Sequence, residues 1–166
     1  MMNSMPDIST RYSLLTRLSE DDMCIFKEIL DDARTRRFIP ELYELLDVPN
    51  GLQEFVTIFE QYAQSGEGYL WGIKNNKELV GFVAVMDLSD TPILFYAMHP
   101  NHRSCGYMKD ALHSVIEYLC NHIAIRTVST EVYKENSISA TLLQQLGFCV
   151  CSEDDDKVYL SKVLAQ

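Results

Sequence analysis

The stretch Pro92-Ile93-Leu94-Phe95-Tyr96-Ala97-Met98-His99-Pro100-Asn101-His102-Arg103-Ser104-Cys105-Gly106-Tyr107-Met108 decides how the rest of the chain is read. Its first half, Pro92 to His99, is apolar and β-rich and reads as a strand. Pro100 breaks that strand. A short loop holding Arg103, Ser104 and Gly106 then runs straight into a helix, whose apolar face is Met108, Ala111, Leu112, Val115, Ile116 and Leu119. The first turn of a helix carries backbone N–H groups without intrahelical partners, and the helix dipole adds partial positive charge there. A loop of small residues at such a point can wrap an anion, typically a phosphate. Gly106 lets the backbone come close to the ligand, and Arg103 can add a charge-assisted contact. The same spacing also describes a surface turn with a capping glycine, and spacing alone leaves both readings open.

The charge pattern bears on that choice. The chain of 166 residues holds 14 Lys+Arg against 24 Asp+Glu, a net charge of −10. Such a balance argues against a protein whose main task is to hold nucleic-acid phosphate. Yet from Thr91 to Lys109 there is no acidic residue, while Arg103, Lys109, His99 and His102 all fall in that interval. An acid-free interval over a strand–loop–helix junction suggests a local anion site. With 47% apolar residues and 10% aromatics the chain can build a core and is not a disordered acidic segment.

Working outward, Tyr12 to Leu18 reads as a first strand. Ser19 reads as the N-cap of a helix with Ile25, Phe26, Ile29, Leu30 and Ala33 facing inward. Pro40 and Pro49 bracket one or two helical turns, and Asn50 reads as the cap of a second long helix. Tyr69 to Lys74 and Glu78 to Leu88 form a hairpin around Asn75-Asn76-Lys77. After the central strand and helix, Ile125 to Tyr133 alternates like a strand. Asn136 to Leu146 reads as a helix with Ile138, Leu142 and Leu146 inward, ended by Gly147. Phe148 to Ser152 and Val158 to Leu164 close the chain as a hairpin. The order β-α-α-β-β-β-α-β-α-β-β predicts a mixed, mostly antiparallel sheet of about seven strands with helices on its faces, an α/β or α+β fold in a single domain over 1–166.

No apolar run approaches the ~20 residues that span a bilayer, and Met1 to Thr10 lacks the pattern of a signal peptide. Five cysteines, without Cys-x-x-Cys spacing, read as structural thiols of a cytoplasmic protein rather than a disulfide or zinc framework, with Cys149 and Cys151 on one face of a strand.

Arg103-Ser104-Cys105-Gly106-Tyr107-Met108 resembles the R/Q-x-x-G-x-G/A motif of the GNAT superfamily of N-acetyltransferases. Asn136, Ser139 and the Gly147-Phe148 pair resemble a second motif of the branch that includes ribosomal-protein N-terminal acetyltransferases, and Glu78 to Phe82 fits that family's third strand. The resemblance covers about Tyr12 to Leu164. Three positions depart from the pattern: Ser104 stands where glycine is usual, Met108 where glycine or alanine is usual, and Leu143 where many members place a tyrosine that acts as the acid.

The resemblance implies a domain that binds acetyl-CoA and passes the acetyl group directly to an amine, with a splayed pair of central strands and no metal. Backbone N–H groups of Arg103, Ser104, Cys105, Gly106, Tyr107 and Met108 would hold the pyrophosphate. The main chain of Ala97, Met98 and His99 would pair with the pantetheine arm. Asn136 would contact that arm or close the strand end, Ser139 would serve the departing thiolate, and the N–H near Met98 would face the oxyanion. The base is expected at Glu131, with His99 second. Cys105 is not read as a nucleophile, since direct transfer needs none. The partners expected are acetyl-CoA and an amine acceptor, with no nucleic acid or membrane, in a monomer or homodimer. The acid-rich helices before Ala63 either favour a cationic acceptor, such as a polyamine, an aminoglycoside or a protein N-terminus, or form a solvated face. The alternatives are an acyl-CoA-binding sensor without catalysis and a phosphate binder unrelated to CoA.

Overall fold

A computed structural model describes residues 5–164; part of the Met1 to Thr10 stretch and both ends of the 1–166 span lie outside the described residues. Eight strands form one sheet: β1 (Ile8–Ser9), β2 (Leu14–Thr16), β3 (Tyr69–Asn75), β4 (Glu78–Met86), β5 (Ile93–Met98), β6 (Thr127–Tyr133), β7 (Cys149–Glu153) and β8 (Lys157–Val163). Their order is β1-β2-β3-β4-β5-β6-β8-β7. All neighbours are antiparallel except β5 and β6. The eighth strand is β1, whose two residues are too few to leave a periodicity. The expected Tyr12 to Leu18 strand contracts to β2.

Among the described residues, six α-helices accompany the sheet: α1 (Met23–Asp31), α2 (Ala33–Phe38), α3 (Pro40–Tyr43), α4 (Gly51–Ser65), α5 (Tyr107–His122) and α6 (Ser137–Gln145). The helix read through Ala33 breaks at Asp32, which lies in extended backbone and accepts from the N–H groups of Arg34 and Thr35 to cap α2. Ala33 is therefore exposed. Asn50 adopts a left-handed conformation and makes no side-chain cap, against expectation. Gly147, at φ +93, ends α6 as read. The inward face of α6 is turned from the expected one: Leu143 is fully buried and Ile138 is 64% exposed.

Side chains alternate across β3 and β4, so each strand feeds two cores. Trp71, Ile73, Val83 and Val85 pack with the α5 residues Ala111, Leu112, Val115 and Leu119. Leu70, Phe82 and Ala84 pack on the other face with Phe26, Ile29 and Leu30 of α1 and Phe59 of α4. At the centre, β5 and β6 share one register pair, Ile93 with Ser129. The Ser129 N–H reaches the Pro92 carbonyl at 2.8 Å, and the Thr130 hydroxyl donates to the Leu94 carbonyl at 2.9 Å. Beyond Leu94 the strands part, and the splay opens toward the N-terminus of α5.

Candidate active site

The loop into α5 has two left-handed residues, Ser104 (φ +61) and Gly106 (φ +83). A β-carbon placed on Gly106 would meet nothing within 4 Å, so the space before it is open. No side chain caps α5, whose N-cap is Gly106 itself. Asp110, the acid in its first turn, has its carboxylate on the Arg11 N–H at 2.8 Å. This helix end keeps its donors and its positive potential. Met108, at the departure from small residues, is buried in the α5 core.

Arg103 does not face an anion site freely. One of its Nη nitrogens lies 2.6 Å from Asp32 Oδ2 and 3.4 Å from the Thr35 hydroxyl. The expected charge-assisted contact of Arg103 with the cofactor is thus replaced by a clamp between the loop and the start of α2. Burial raises the Asp32 carboxyl, but the Arg103 hydrogen bond and the N–H groups of Thr35 and Arg34 outweigh it and hold the pKa below the usual value.

Strand alternation decides which backbone groups face the gap beside β5. The His99 N–H is given to Val80 O at 2.8 Å, on the β4 side. Leu94 O and Pro92 O turn the other way, to β6. Continuing the pattern, the N–H groups of Tyr96 and Met98 point into the gap, and those of Ala97 and His99 do not. The pairing strand therefore presents Tyr96 and Met98, which corrects the expected Ala97–Met98–His99 set. A β-carbon on Gly81 would lie 2.6 Å from Met98 Sδ and 2.8 Å from Ala97 O, so only glycine allows β4 to approach here.

The gap belongs to a cavity of about 980 Å³ that reaches from Gly106 and Met98 to α6 on one side and to α2 and α4 on the other. That volume suits a large ligand. Ser139 lines it, and its hydroxyl lies 2.5 Å from the Tyr96 hydroxyl. Burial pushes the Tyr96 phenol up to about 12, against the opposing effect of Ser139, so it stays protonated at neutral pH. Asn136 caps α6 by accepting from the Ser139 N–H at 3.3 Å, which fixes where that hydroxyl sits. Glu131 also lines the cavity, with Oε1 held by Lys157 Nζ at 2.9 Å; that hydrogen bond raises the Lys157 pKa.

His99 is placed differently. It is not part of the cavity lining, and both ring nitrogens are engaged: Nε2 with Glu28 at 2.8 Å and Nδ1 accepting from the Asn101 N–H at 3.2 Å. With no free lone pair toward the gap, its ring is a strut between α1 and the end of β5 rather than a base. The Cys105 thiol is exposed and donates to the Arg103 carbonyl at 3.5 Å. A bulge between Val150 and Ser152 breaks the alternation expected at Cys149 and Cys151, although Cys151 Sγ still reaches the Ser161 hydroxyl at 2.8 Å.

Three contributors went unread in the sequence: Tyr96 as a polar group, Asp32 and Lys157. Tyr96 shares its strand face with Met98, a parity that marks it for the gap. Asp32 precedes Thr35 at the spacing of an N-cap. Nothing local marks Lys157, which pairs with Tyr133 only through the β6–β8 register.

A family model described as an acetyltransferase (GNAT) domain matches residues 13–149. The chain belongs to the GNAT acetyltransferase family. It is thus an acetyltransferase, in a family that uses acetyl-CoA. Over 152 residues this GNAT chain is 24% identical to the uncharacterized N-acetyltransferase YoaA of Bacillus subtilis (strain 168), covering 86% of this chain and 82% of that one. Its fold matches an acetyltransferase from Agrobacterium tumefaciens with a TM-score of 0.81 at 14% identity, over 98% of this chain and 96% of that one. It also matches RimL, a ribosomal L7/L12 α-N-protein acetyltransferase solved in complex with coenzyme A, with a TM-score of 0.76 at 12% identity, over 96% and 98%. Among the described residues, no group of three or more His, Cys, Asp or Glu is arranged to hold a metal ion, and no helix is long and apolar enough to cross a membrane.

Proposed function

We propose that the chain, as one acetyltransferase domain over 1–166, transfers acetyl from acetyl-CoA directly to a primary amine, in the cytoplasm, as a monomer or homodimer. The observation that carries this reading is the meeting of two features in one cavity: the splay of β5 from β6 and the uncapped N-terminus of α5.

Acetyl-CoA supplies the activated acetyl group. Backbone N–H groups from Arg103 to Met108 hold its pyrophosphate, as the open space before Gly106 allows. Lys109, on the cavity wall, adds the cation that Arg103 has given to Asp32. Tyr96 and Met98 pair with the pantetheine arm through the main chain. The Met98 N–H donates to the carbonyl oxygen as negative charge develops there.

An alkylamine must lose a proton to attack, and its pKa near ~10 keeps it charged at neutral pH. Glu131 takes that proton, through the oxygen that Lys157 leaves free. As the C–N bond forms and the C–S bond breaks, the Ser139 hydroxyl, held by Tyr96, hydrogen-bonds the departing thiolate, which takes its proton from water as Glu131 returns the amine's proton to water. This pair does the work that a tyrosine at Leu143 would do, since Leu143 is sealed in the core. A sensor without catalysis would not need a protonated phenol aimed at the cavity.

The test is thiol release from acetyl-CoA across a panel of amines, with thermal melting in parallel. Release on at least one amine supports the reading. A CoA-dependent rise in melting temperature without release on any amine overturns catalysis, and no rise overturns the site.

A further inference from the structure

The acid-rich helices before Ala63 suggest a polycationic acceptor, but the cavity wall has a different chemistry. Of the acids between Glu20 and Asp47, only Glu41 lines the cavity. Glu131 is the other carboxylate there, and Lys157 already holds it. Four cations, Arg34, Arg103, Lys109 and Lys157, share the wall. Arg103 is neutralised by Asp32, but the half-buried Arg34 guanidinium has no hydrogen bond or ion pair among the described residues. A polyamine entering this space meets more positive charge than negative, which is unfavourable in a partly desolvated cleft.

What the wall offers instead is aromatic surface. Phe55, Phe59 and Tyr62 of α4 and Phe95 of β5 line the cavity as a connected set. The Phe59 ring centroid lies 5.0 Å from Phe55, 5.4 Å from Tyr62 and 6.1 Å from Phe95. Phe59 is buried, but Phe55, Tyr62 and Phe95 are only half-buried, and the neighbouring Ile58 is 43% exposed. Large apolar side chains left partly open inside a cavity gain from being covered by an apolar ligand. The wall is continuous with the transfer site. Phe95 and Ala97 share one face of β5, two residues or roughly 7 Å apart at the rise of a strand.

We infer that the acceptor is a small primary monoamine on a short, uncharged apolar body, with an aromatic ring as the best fit, and not a polyamine or aminoglycoside. The amine sits beside Met98 and Glu131 and the body lies against Phe55, Phe59 and Phe95. This rests on the acetyl-transfer reading above and adds the class of acceptor to it.

The experiment compares kcat/KM for 2-phenylethylamine, n-butylamine and spermidine at saturating acetyl-CoA, each corrected for its unprotonated fraction. The expected order places 2-phenylethylamine about tenfold or more above n-butylamine, since a buried ring adds roughly that much binding, with spermidine lowest. Phe55→Ala narrows the gap between the two monoamines. Ile58→Asp, at an exposed position that tolerates substitution, narrows it further and raises spermidine relative to both, and it carries the test if Phe55→Ala fails to fold. Equal rates for the three amines, or spermidine fastest, overturn this inference and leave acetyl transfer standing. Turnover of none of the three, with thiol release on another amine of the wider panel, overturns this inference alone; no release on any amine, with CoA still raising the melting temperature, overturns both.

Discussion

The two ends of the cavity are built from different material. At the α5 end the ligand-facing groups are main chain: the N–H donors of a helix first turn, two left-handed residues, and the gap-facing N–H groups of β5. At the α4 end they are side chains drawn from α2, α4, β5 and β6. A main-chain site depends on backbone angles and on the absence of obstruction, so it is most sensitive to added bulk and charge. A side-chain site depends on which residues stand on the wall, so substitution changes which acceptor it takes before it abolishes binding. The single registered pair between β5 and β6 lets both ends share one space, because a fully paired sheet would leave no gap between them.

The largest expected effect strikes the main-chain end. Gly106→Glu puts a carboxylate into the open space at a φ of +83 and opposes the helix dipole. CoA affinity should fall by about a hundredfold or more by calorimetry, while circular dichroism stays native, because the added β-carbon meets no packed atom. Unchanged affinity would place the phosphate elsewhere and dissolve the contrast. The next effect is on chemistry alone. Glu131→Gln should lower kcat by about a hundredfold with CoA affinity retained, as removal of a general base does. A variant with normal kcat would make Glu131 only the anchor of Lys157.

Tyr96→Phe comes third, at about tenfold in kcat, because a thiolate with a pKa near ~8.5 leaves with less help than an alkoxide would need. The same variant reports on pH. The folded-state phenol at about 12 lies above its ordinary 10.0, so the native fold holds that proton more tightly than the unfolded chain. The stability it contributes is present below pH 10 and lost as pH rises toward 12. The wild-type melting temperature should therefore drop over that interval, and the Phe variant should drop less. Parallel curves would mean that the phenol is not sealed in the gap.

The contrast between the two ends also explains what could be read in advance. The open, uncapped start of α5 was legible because a main-chain feature leaves local marks, a glycine and a charge gap next to a strand end. Seven of the eight strands and the α5 face were legible from periodicity, which survives as long as an element has several turns or residues. Asp32 as a break between α1 and α2 was missed because apolar spacing ran past it, and one capping side chain overrode the pattern. The aromatic wall carried no mark of its own. In sequence Phe55, Phe59 and Tyr62 look like any buried helix face, and only the cavity beside them shows that Phe55 and Tyr62 stay half open on one side. His99 misled for the opposite reason: its residue type suits a base, and only the Glu28 contact shows that its ring is spent.

Asp32→Asn tests the link between the ends, since its carboxylate both caps α2 and holds Arg103. The variant keeps a capping oxygen but loses the negative charge that pairs with Arg103. The expected result is a drop of roughly 2–4 °C in melting temperature, from a loss of about 1 kcal/mol in a chain of this size. CoA affinity should change only severalfold, because the freed Arg103 can turn toward the phosphate as the clamp is lost. A large loss of affinity would mean that the clamp shapes the loop itself.

The smallest expected effect belongs to Cys105, and it separates direct transfer from a two-step route. Its thiol is exposed and donates to the Arg103 carbonyl, and no hydrogen bond joins it to a histidine or carboxylate among the described residues. A cysteine that carried the acetyl group would need such a partner to become a thiolate at neutral pH. Only its backbone N–H, which serine also has, belongs to the proposed phosphate site. Cys105→Ser should therefore change kcat by no more than about twofold, the scatter of a surface substitution. Intact-mass measurement of the wild-type protein under single turnover should show no acetylated enzyme. A collapse of kcat with an acetyl adduct on the wild-type chain would move the chemistry from the strand gap to the loop. Met98 and Glu131 would then have no part in the rate-limiting step.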